Sequence, residues 1–332
     1  MIITFTANPS IDVTLDVPAF TINEVNRSES KIKDPAGKGI NVARALKKNG
    51  AETAAIFPAD ATNGAWIVNR LAEVGIDTVT TPIRDEVRTN ITIVDDANQT
   101  TKINEAGPML SDAEQDALLA EVAAVLDTKP TWLVAAGSLP RGLDGTFYVR
   151  LGELAHERGV LFAVDTSGEA LATVAHAGIA DLMKPNHEEL EDLAGKPLPT
   201  VGEVVGFAQS LLRDGAAVLV SLGENGAILV TAAAAAWAGH DPVTPDSTVG
   251  AGDSSLAGYL FADMAARAGR LDPAEAASLK LTTAVAWGAA AVQLPGTTVP
   301  GPTDISINAV HVMGDPRPEQ LIEELSLCLN PS

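Results

Sequence analysis

Short apolar runs alternate with helix-length segments along almost the whole chain, and this alternation restricts the fold more than any other feature. The runs at 2–6, 54–57, 132–136, 161–165, 182–184, 218–222 and 227–230 are nearly continuous in apolar residues. They read as strands buried on both faces. Helical patterns are expected at 40–48, 64–74, 112–126, 146–158, 201–213, 254–268 and 273–292. Strands alternating with helices specify an α/β fold, a three-layer sandwich whose mostly parallel central sheet carries helices on both faces. Ligands in such folds gather at the carboxyl ends of the strands. With 332 residues, 46% of them apolar and only 4% aromatic, the chain can build one large aliphatic core.

Two segments break the pattern. Ile11, Val13, Leu15 and Val17 alternate with Asp12, Thr14 and Asp16. Ile91 and Ile93 alternate with Asn90 and Thr92, and a second strand is expected after a turn at 95–99. Period-two patterns of this kind are half-exposed strands. They predict a small antiparallel sheet, 10–34 plus 87–107, inserted as a lid into a body made of 1–9, 35–86 and 108–332. A sheet beside a ligand cleft serves as a cover, as an oligomer contact, or as both. The alanine run at 232–236 reads as helical or loop filler.

Charge narrows the partners. Lys and Arg total 22 against 43 Asp and Glu, for a net charge of −21. Nucleic acid and an anionic membrane surface are excluded, because phosphate affinity needs clustered cations. An anionic small substrate would have to be met by a few Lys and Arg gathered against the global field. The single cysteine, Cys328, allows no disulfide framework and no cysteine metal site within one chain. The start, MIITFTANPSID, has no basic segment followed by a long apolar one, so no signal peptide is expected. The uncharged run 281–303 contains three prolines and reads as buried helix and loop, not a membrane span. A cytoplasmic protein is expected.

The most telling local motif is STVGAGDSSLAGYLFADMAARAG, 247–269. Gly250, Ala251 and Gly252 precede Asp253, and Leu256, Leu260, Phe261 and Met264 follow at helical spacing, with Gly269 at the expected C-cap. Helix N-terminal N–H groups lack intrahelical partners and favour negative charge. Small residues let an anion approach them. A carboxylate in that turn would repel a resting phosphate, so it makes chemical sense as a base acting on a hydroxyl beside a phosphoryl group in transfer. A plain glycine turn capped by Asp is the simpler alternative.

A second site is DPAGKGINVARALKKNG, 34–50, where Gly37 and Gly39 flank Lys38 and Asn41 lies in the following helical turn. Lys38 supplies a point charge and Asn41 a polar fork for a hydroxyl. Ile32 and Gly39 occupy the places where a Walker A loop needs Gly and Ser or Thr, and Val42 holds the third glycine place of a dinucleotide fingerprint. Arg88 could fork onto a phosphate, and Asp12 could accept from sugar hydroxyls, although each alone suits a solvated strand. In LMKPNHEELEDLAG, 182–195, Asn186 and Glu189 lie three apart on a starting helix. An amide and a carboxylate suit hydrated Mg²⁺, and an N-capped acidic helix explains them equally well. Glu191 stands where a zinc-protease motif needs its second His. Ala136 and Pro140 flank Ser138 where a nucleophile elbow needs glycines.

Nine motifs occur in order across nearly the whole chain: TANPSIDVTLDV, AGKGINVARAL, VRTNITI, TKINEAGP, AGSLPRG, DTSGEAL, KPNHEEL, SLGENGA and STVGAGDS. Together they resemble the PfkB family of ribokinase-like carbohydrate kinases. The resemblance implies a ribokinase-like fold with a β-sheet lid, and transfer of the ATP γ-phosphoryl group to the C6 hydroxyl of fructose 1-phosphate. Tagatose 6-phosphate or fructose 6-phosphate are the alternative acceptors, and a non-catalytic sugar-phosphate sensor is a distant alternative. By the same resemblance Asp253 is the catalytic base, and Gly250, Ala251 and Gly252 are the anion hole. Asp12, Gly37, Gly39 and Asn41 hold the sugar, and Lys38 and Arg88, with Asn90 nearby, hold its phosphate. Lys184, Asn186, Ser221, Gly223, Glu224 and Gly226 form the nucleotide side. Asn186 and Glu189 match the family's N-x-x-E and reach Mg²⁺ through water. The resemblance further implies a homodimer through the lid, with Arg27 reaching the neighbour's site. The chain departs from the family at Ala106, where Pro is usual, and in carrying Asp246 before the anion hole.

Overall fold

The computed structural model describes residues 1–97 and 99–329; Asn98, within the expected turn at 95–99, and the side chain of Cys328 lie outside the described residues. The chain begins with β1 (Ile2–Phe5), β2 (Ser10–Val17), β3 (Ser30–Ala36), α1 (Lys38–Lys48), β4 (Thr53–Ala59) and α2 (Asn63–Glu73). It continues through β5 (Asp77–Pro82), β6 (Arg88–Asp95), β7 (Thr100–Ile103), α3 (Asp112–Leu126), β8 (Trp132–Ala136), α4 (Gly145–Glu157), β9 (Leu161–Asp165) and α5 (Gly168–Ala177). Then come β10 (Leu182–Met183), α6 (His187–Ala194), α7 (Val201–Ser210), β11 (Ala217–Ser221), β12 (Ala227–Thr231) and β13 (Ala235–His240). The last elements are α8 (Ala251–Gly269), α9 (Pro273–Ala291) and β14 (Val310–Gly314).

Among the described residues, ten strands form the main sheet in the order β14-β13-β12-β11-β10-β9-β8-β1-β4-β5. The run from β11 to β5 is parallel, and β12, β13 and β14 add antiparallel strands at one edge. Successive strand residues point to opposite faces, so Ile3 and Leu133 enter one core while Ile2 and Val134 enter the other. Leu118, Val122, Tyr148, Leu151 and Val204 of α3, α4 and α7 fill the first core. Leu46, Leu256, Leu260, Leu281 and Trp287 of α1, α8 and α9 fill the second. This is the expected ribokinase-like three-layer sandwich.

Local chemistry sets the helix ends. Ser111 and Glu114 close a reciprocal capping box at the start of α3. Asp272 caps α9 with Pro273 at its first position. The left-handed residue closing α8 is Arg270 (φ 51°), not Gly269. Leu271 N–H reaches Ala266 C=O and Arg270 N–H reaches Arg267 C=O, and that paired closure places the left-handed turn one residue later.

Several expectations need correction. A separate four-stranded sheet, β3-β2-β6-β7, contains both period-two segments. It is mixed, not antiparallel, because β2 and β6 run parallel with Ser10 opposite Arg88 and Asp12 opposite Asn90. Strands brought together by a long crossover through the body need not be antiparallel. The alanine run opens β13, where Ala235 and Ala236 pair across the sheet despite their low strand propensity. Strands β5 and β14 and helix α5 stand where no element was expected. The helix expected over 201–213 stops at Ser210.

Helices α8 and α9 pack so closely that Gly258 is a packing requirement. A Cβ there would lie 2.7 Å from the Thr283 carbonyl oxygen and 2.9 Å from the Trp287 ring. Gly258→Ala is expected to cost about 1–3 kcal/mol by overpacking. Urea unfolding should show a lower midpoint with an unchanged slope.

Candidate active site

The carboxyl ends of the parallel strands converge on the N-terminus of α8. Thr6 and Asn8 follow β1, Asp165 ends β9, Lys184 follows β10 and Ser221 ends β11. Gly250 precedes α8 with φ 80°, a left-handed angle that glycine adopts without strain, and among the described residues no side chain caps the helix. The first N–H groups of a 19-residue helix are thus available to an anion. Asp253 sits in that first turn, 6% exposed.

Two lysines flank the cup. Lys38 Nζ lies 2.7 Å from Asp165 Oδ1, and Lys184 Nζ lies 3.0 Å from Asp165 Oδ2. A Cβ on Gly252 would sit 3.2 Å from Lys184 Nζ, so that ammonium stands directly beside the α8 N-terminus. Lys38 comes from the first turn of α1, which can approach β1 only because residue 39 is Gly. A Cβ there would meet the Phe5 carbonyl oxygen at 2.7 Å. The same turn supplies Asn41, whose Nδ2 donates to Asp253 Oδ2 at 2.8 Å.

Burial and charge set the protonation states. Burial pushes the Asp253 carboxyl up, and the nearby Asp165 carboxylate pushes it further. Lys38, the Asn41 hydrogen bond and Lys184 pull it back, leaving it at about 6. Burial alone would raise Asp165, but Lys184 and Lys38 outweigh it and hold that carboxyl below its ordinary value. Burial lowers the Lys38 ammonium, and Asp165, Asp253 and Glu189 more than offset this. The site therefore holds one carboxylate fixed as an anion and a second poised near neutrality, the separation expected of acid–base machinery.

The smaller sheet contributes a polar wall. Asp12 Oδ1 accepts from Ser10 Oγ at 2.8 Å and from Asn90 Nδ2 at 2.9 Å. Arg88 donates to the carbonyl oxygens of Asn8 and Glu105, each at 3.1 Å. Around these groups Thr6 Oγ1, Asn8 Oδ1, Asn41 Oδ1, Asn90 Oδ1 and Arg88 Nε are buried without a partner. Unpaired buried polar atoms are costly. Their concentration here suits a ligand rich in hydroxyl groups.

Past the ends of β10 and β11, Asn186 forms a parallel backbone bridge with Ser221. Gly223, Glu224 and Gly226 lie on the turn after β11, pinned where Trp237 Nε1 donates to the Asn225 carbonyl at 2.7 Å. Glu224 is exposed. Asn186 Oδ1 accepts from Glu189 N–H at 2.7 Å and Glu189 Oε2 accepts from Asn186 N–H at 2.8 Å, so the pair forms a capping box. Among the described residues no cluster of three or more His, Cys, Asp or Glu could hold a bare metal ion. One amide and one carboxylate beside the lysines fit a hydrated cation held through water. Arg27 is exposed on the 18–29 loop.

The sequence pattern assembled most of this site but left out Asp165 and Asn8. Both follow or end buried strands at the sheet's carboxyl edge, and that position was the available signal.

A phosphate-attracting helix end, a poised carboxylate and two lysines at the strand ends of a doubly wound sheet define a phosphotransferase acting on an alcohol acceptor. Residues 6–304 match the family described as pfkB family carbohydrate kinase, and the chain belongs to that family. The chain is 38% identical over 291 residues to a 1-phosphofructokinase of Rhodobacter capsulatus, covering 87% of this chain and 90% of that one. It is 34% identical over 261 residues to a 1-phosphofructokinase of Bacillus subtilis, covering 78% and 84%. It is also 34% identical over 261 residues to an ATP-dependent 6-phosphofructokinase isozyme 2 of Mycobacterium tuberculosis, covering 77% and 76%. Phosphofructokinase-2 of Escherichia coli in complex with potassium superposes with a TM-score of 0.83 at 29% identity, covering 99% and 98% of the two chains. The tetrameric inhibited form of that enzyme superposes with a TM-score of 0.81 at 28% identity, covering 99% and 98%.

A carboxyl held above its ordinary value of 3.8 favours the protonated form in the folded state. Its ionisation therefore subtracts stability as the pH rises from 3.8 through about 6. Asp253→Asn is expected to unfold at higher temperature than the wild type at neutral pH. The difference should vanish below pH 3.8 in calorimetric scans across pH.

Proposed function

We propose that this enzyme transfers the γ-phosphoryl group of MgATP to the C6 hydroxyl of D-fructose 1-phosphate, giving fructose 1,6-bisphosphate and ADP. The observation that carries this reading is Asp253, buried at the uncapped start of α8 and poised at about 6 between two lysines and a second carboxylate. Asp253 accepts the hydroxyl proton as the new O–P bond forms in line with the leaving ADP oxygen. Asn41, bonded to Asp253 Oδ2, orients that carboxylate.

The N–H groups of 250–253 stabilise negative charge developing on the transferring group. Lys184, beside Gly252, stands where the nucleotide's phosphates would meet the helix end. Asp12, Gly37, Gly39 and Asn41 bind the sugar, while Lys38, Arg88 and Asn90 face its existing phosphate. Binding that remote group orients the reacting hydroxyl. Ser221, Gly223, Glu224 and Gly226 line the nucleotide pocket. Asn186 and Glu189 would hold Mg²⁺ through water, and the ion would neutralise charge on the nucleotide phosphates. The smaller sheet acts as a lid that excludes water during transfer.

Fructose 1-phosphate is favoured because two of the relatives described are 1-phosphofructokinases, one at 38% identity. Initial rates of ADP release with fructose 1-phosphate, fructose 6-phosphate and tagatose 6-phosphate decide the acceptor. A higher kcat/KM for either 6-phosphate would overturn the assignment. Binding of every phosphosugar without ADP release would point to a sensor. Asp253→Ala is expected to lower kcat by about 10²–10⁴. In the wild type, kcat/KM should rise with pH through about 6 as Asp253 loses its proton. In Asp165→Asn that limb should move to lower pH, because a neighbouring negative charge is gone.

The lid also supports a homodimer. Phe20, Ile22 and Val25, close together in the chain on the 18–29 loop, are all exposed large apolar side chains. Such a cluster marks an association surface. A second lid covering it would bring Arg27, on the same loop, toward the neighbour's site. Val25→Asp is expected to shift the protein to monomer in sedimentation velocity. An unchanged mass would remove the lid from the interface.

A further inference from the structure

Where the chain passes from the body into the smaller sheet, one residue is gripped on both of its backbone polar groups. Val87, 1% exposed, immediately precedes Arg88 and the start of β6. Its N–H donates to Asp60 Oδ1 at 3.0 Å, and its carbonyl accepts from Asn63 Nδ2 at 2.8 Å. Asp60 lies in the turn between β4 and α2, and Asn63 is the first residue of α2.

The grip exceeds what a helix cap requires. Asp60, 7% exposed, accepts from Thr62 N–H at 2.8 Å, Asn63 N–H at 3.1 Å, Gly64 N–H at 2.8 Å and the Thr62 hydroxyl. Those bonds cap α2 and order its turn. The bond to Val87 crosses 27 residues and does neither. Burial pushes the Asp60 carboxyl up, but the hydrogen bonds from Thr62, Val87 and Gly64 hold it at about 2, so it remains an anion at neutral pH.

The Asp12 and Glu105 carboxylates lie near enough to attract the Arg88 side chain. Its guanidinium is held by two neutral carbonyl oxygens, those of Asn8 and Glu105. The backbone peptide joining Val87 to Arg88 therefore sets where the guanidinium starts. The parallel register of β6 with β2 carries the same placement on to Asn90 and Asp12.

We propose that Asp60 and Asn63 are positioning residues for acceptor binding: they anchor Val87 and thereby place Arg88 at the substrate's phosphate. This rests on the reading of Arg88 as a phosphate contact. Displacing a binding group by about an ångström is enough to change kinetics strongly.

The test compares two single-bond deletions, with fructose 1-phosphate varied at saturating MgATP. Asn63→Ala removes the Val87 carbonyl bond and keeps a good helix former at the start of α2. It is expected to raise KM for fructose 1-phosphate about tenfold while leaving kcat and KM for ATP within about twofold. Thr62→Val removes a bond to Asp60 of similar burial but leaves Val87 held. It should lower Tm and leave KM unchanged. Asp60→Asn is a second variant on the anchor and should raise KM in the same direction as Asn63→Ala. In an Arg88→Ala background, Asn63→Ala should have no further effect on KM, because it acts through Arg88. An unchanged KM in Asn63→Ala, a KM in Thr62→Val raised as much, or additivity with Arg88→Ala overturns the anchor. An unchanged KM for fructose 1-phosphate in Arg88→Ala alone overturns the reading of Arg88 itself, and the positioning role with it.

Discussion

One buried carboxylate shared by two ammonium groups holds this site together. Asp165, 1% exposed, lies within 3.0 Å of both Lys38 and Lys184. The buried Lys184 and the half-exposed Lys38 could not be held side by side without it, because like charges close together repel. With Asp165 present, the pair is brought beside the start of α8 in a chain whose net charge is −21. The two ammonium groups offset the carboxylates of Asp165 and Asp253, so the partial positive charge of the α8 N-terminus is not cancelled there in an otherwise strongly acidic protein. Burial raises Asp253 and the Asp165 carboxylate raises it further, so the placement of the two lysines and the poise of the adjacent acid both depend on Asp165. Removing one partner of such a buried cluster leaves an uncompensated charge, which is why the four groups act as a unit.

Rigidity below the site matches the chemistry at its mouth. Helix α8 is buried along most of its length. Halfway down it, Asp263 accepts from Trp132 Nε1 at 2.9 Å and pairs with Arg267 and with Lys280 at 3.4 Å. That network ties α8 to β8 and α9, so the helix end carrying Asp253 has little freedom to shift. The smaller sheet is built differently. All of β6 is only half-buried and all of β7 is exposed. Strand β2 is anchored in the main core through Ile11 and Val13, so low burial in the smaller sheet is confined to β6 and β7, and elements of low local burial are the ones that open most readily.

The layers of the body could be read from the chain because its central strands are apolar on both faces and most of its helices show their period. The span of α3 agreed to the residue, since Ser111 and Glu114 mark its start chemically. Strand β5, DTVTTP, escaped because threonines and an acid conceal an edge strand, and β13, AAWAGH, because its residues favour no strand at all. Both are strands only because a neighbour offers hydrogen bonds along their length. The antiparallel expectation for the smaller sheet failed for a related reason: period-two alternation fixes which face is buried and says nothing of strand direction. In the site, the glycines and Asp253 could be read because motif spacing puts them on one turn. Asp165 and Asn8 could not, since each carries its role only through partners far away in sequence.

The alternation of buried strands with helices in the body, the starts of α3, α7 and α9, and the places of Asn41 and Asp253 on helical turns beside glycines were settled by the sequence alone, because each depends on residues within one turn or one strand. Tertiary structure alone decided that Asp165 would lie between two lysines, that Asn41 would bond Asp253 across 212 residues, and that Asp60 would hold the root of β6. Charge coupling and hydrogen bonding act through space over a few ångströms, and only the folded sheet brings such distant residues within that range.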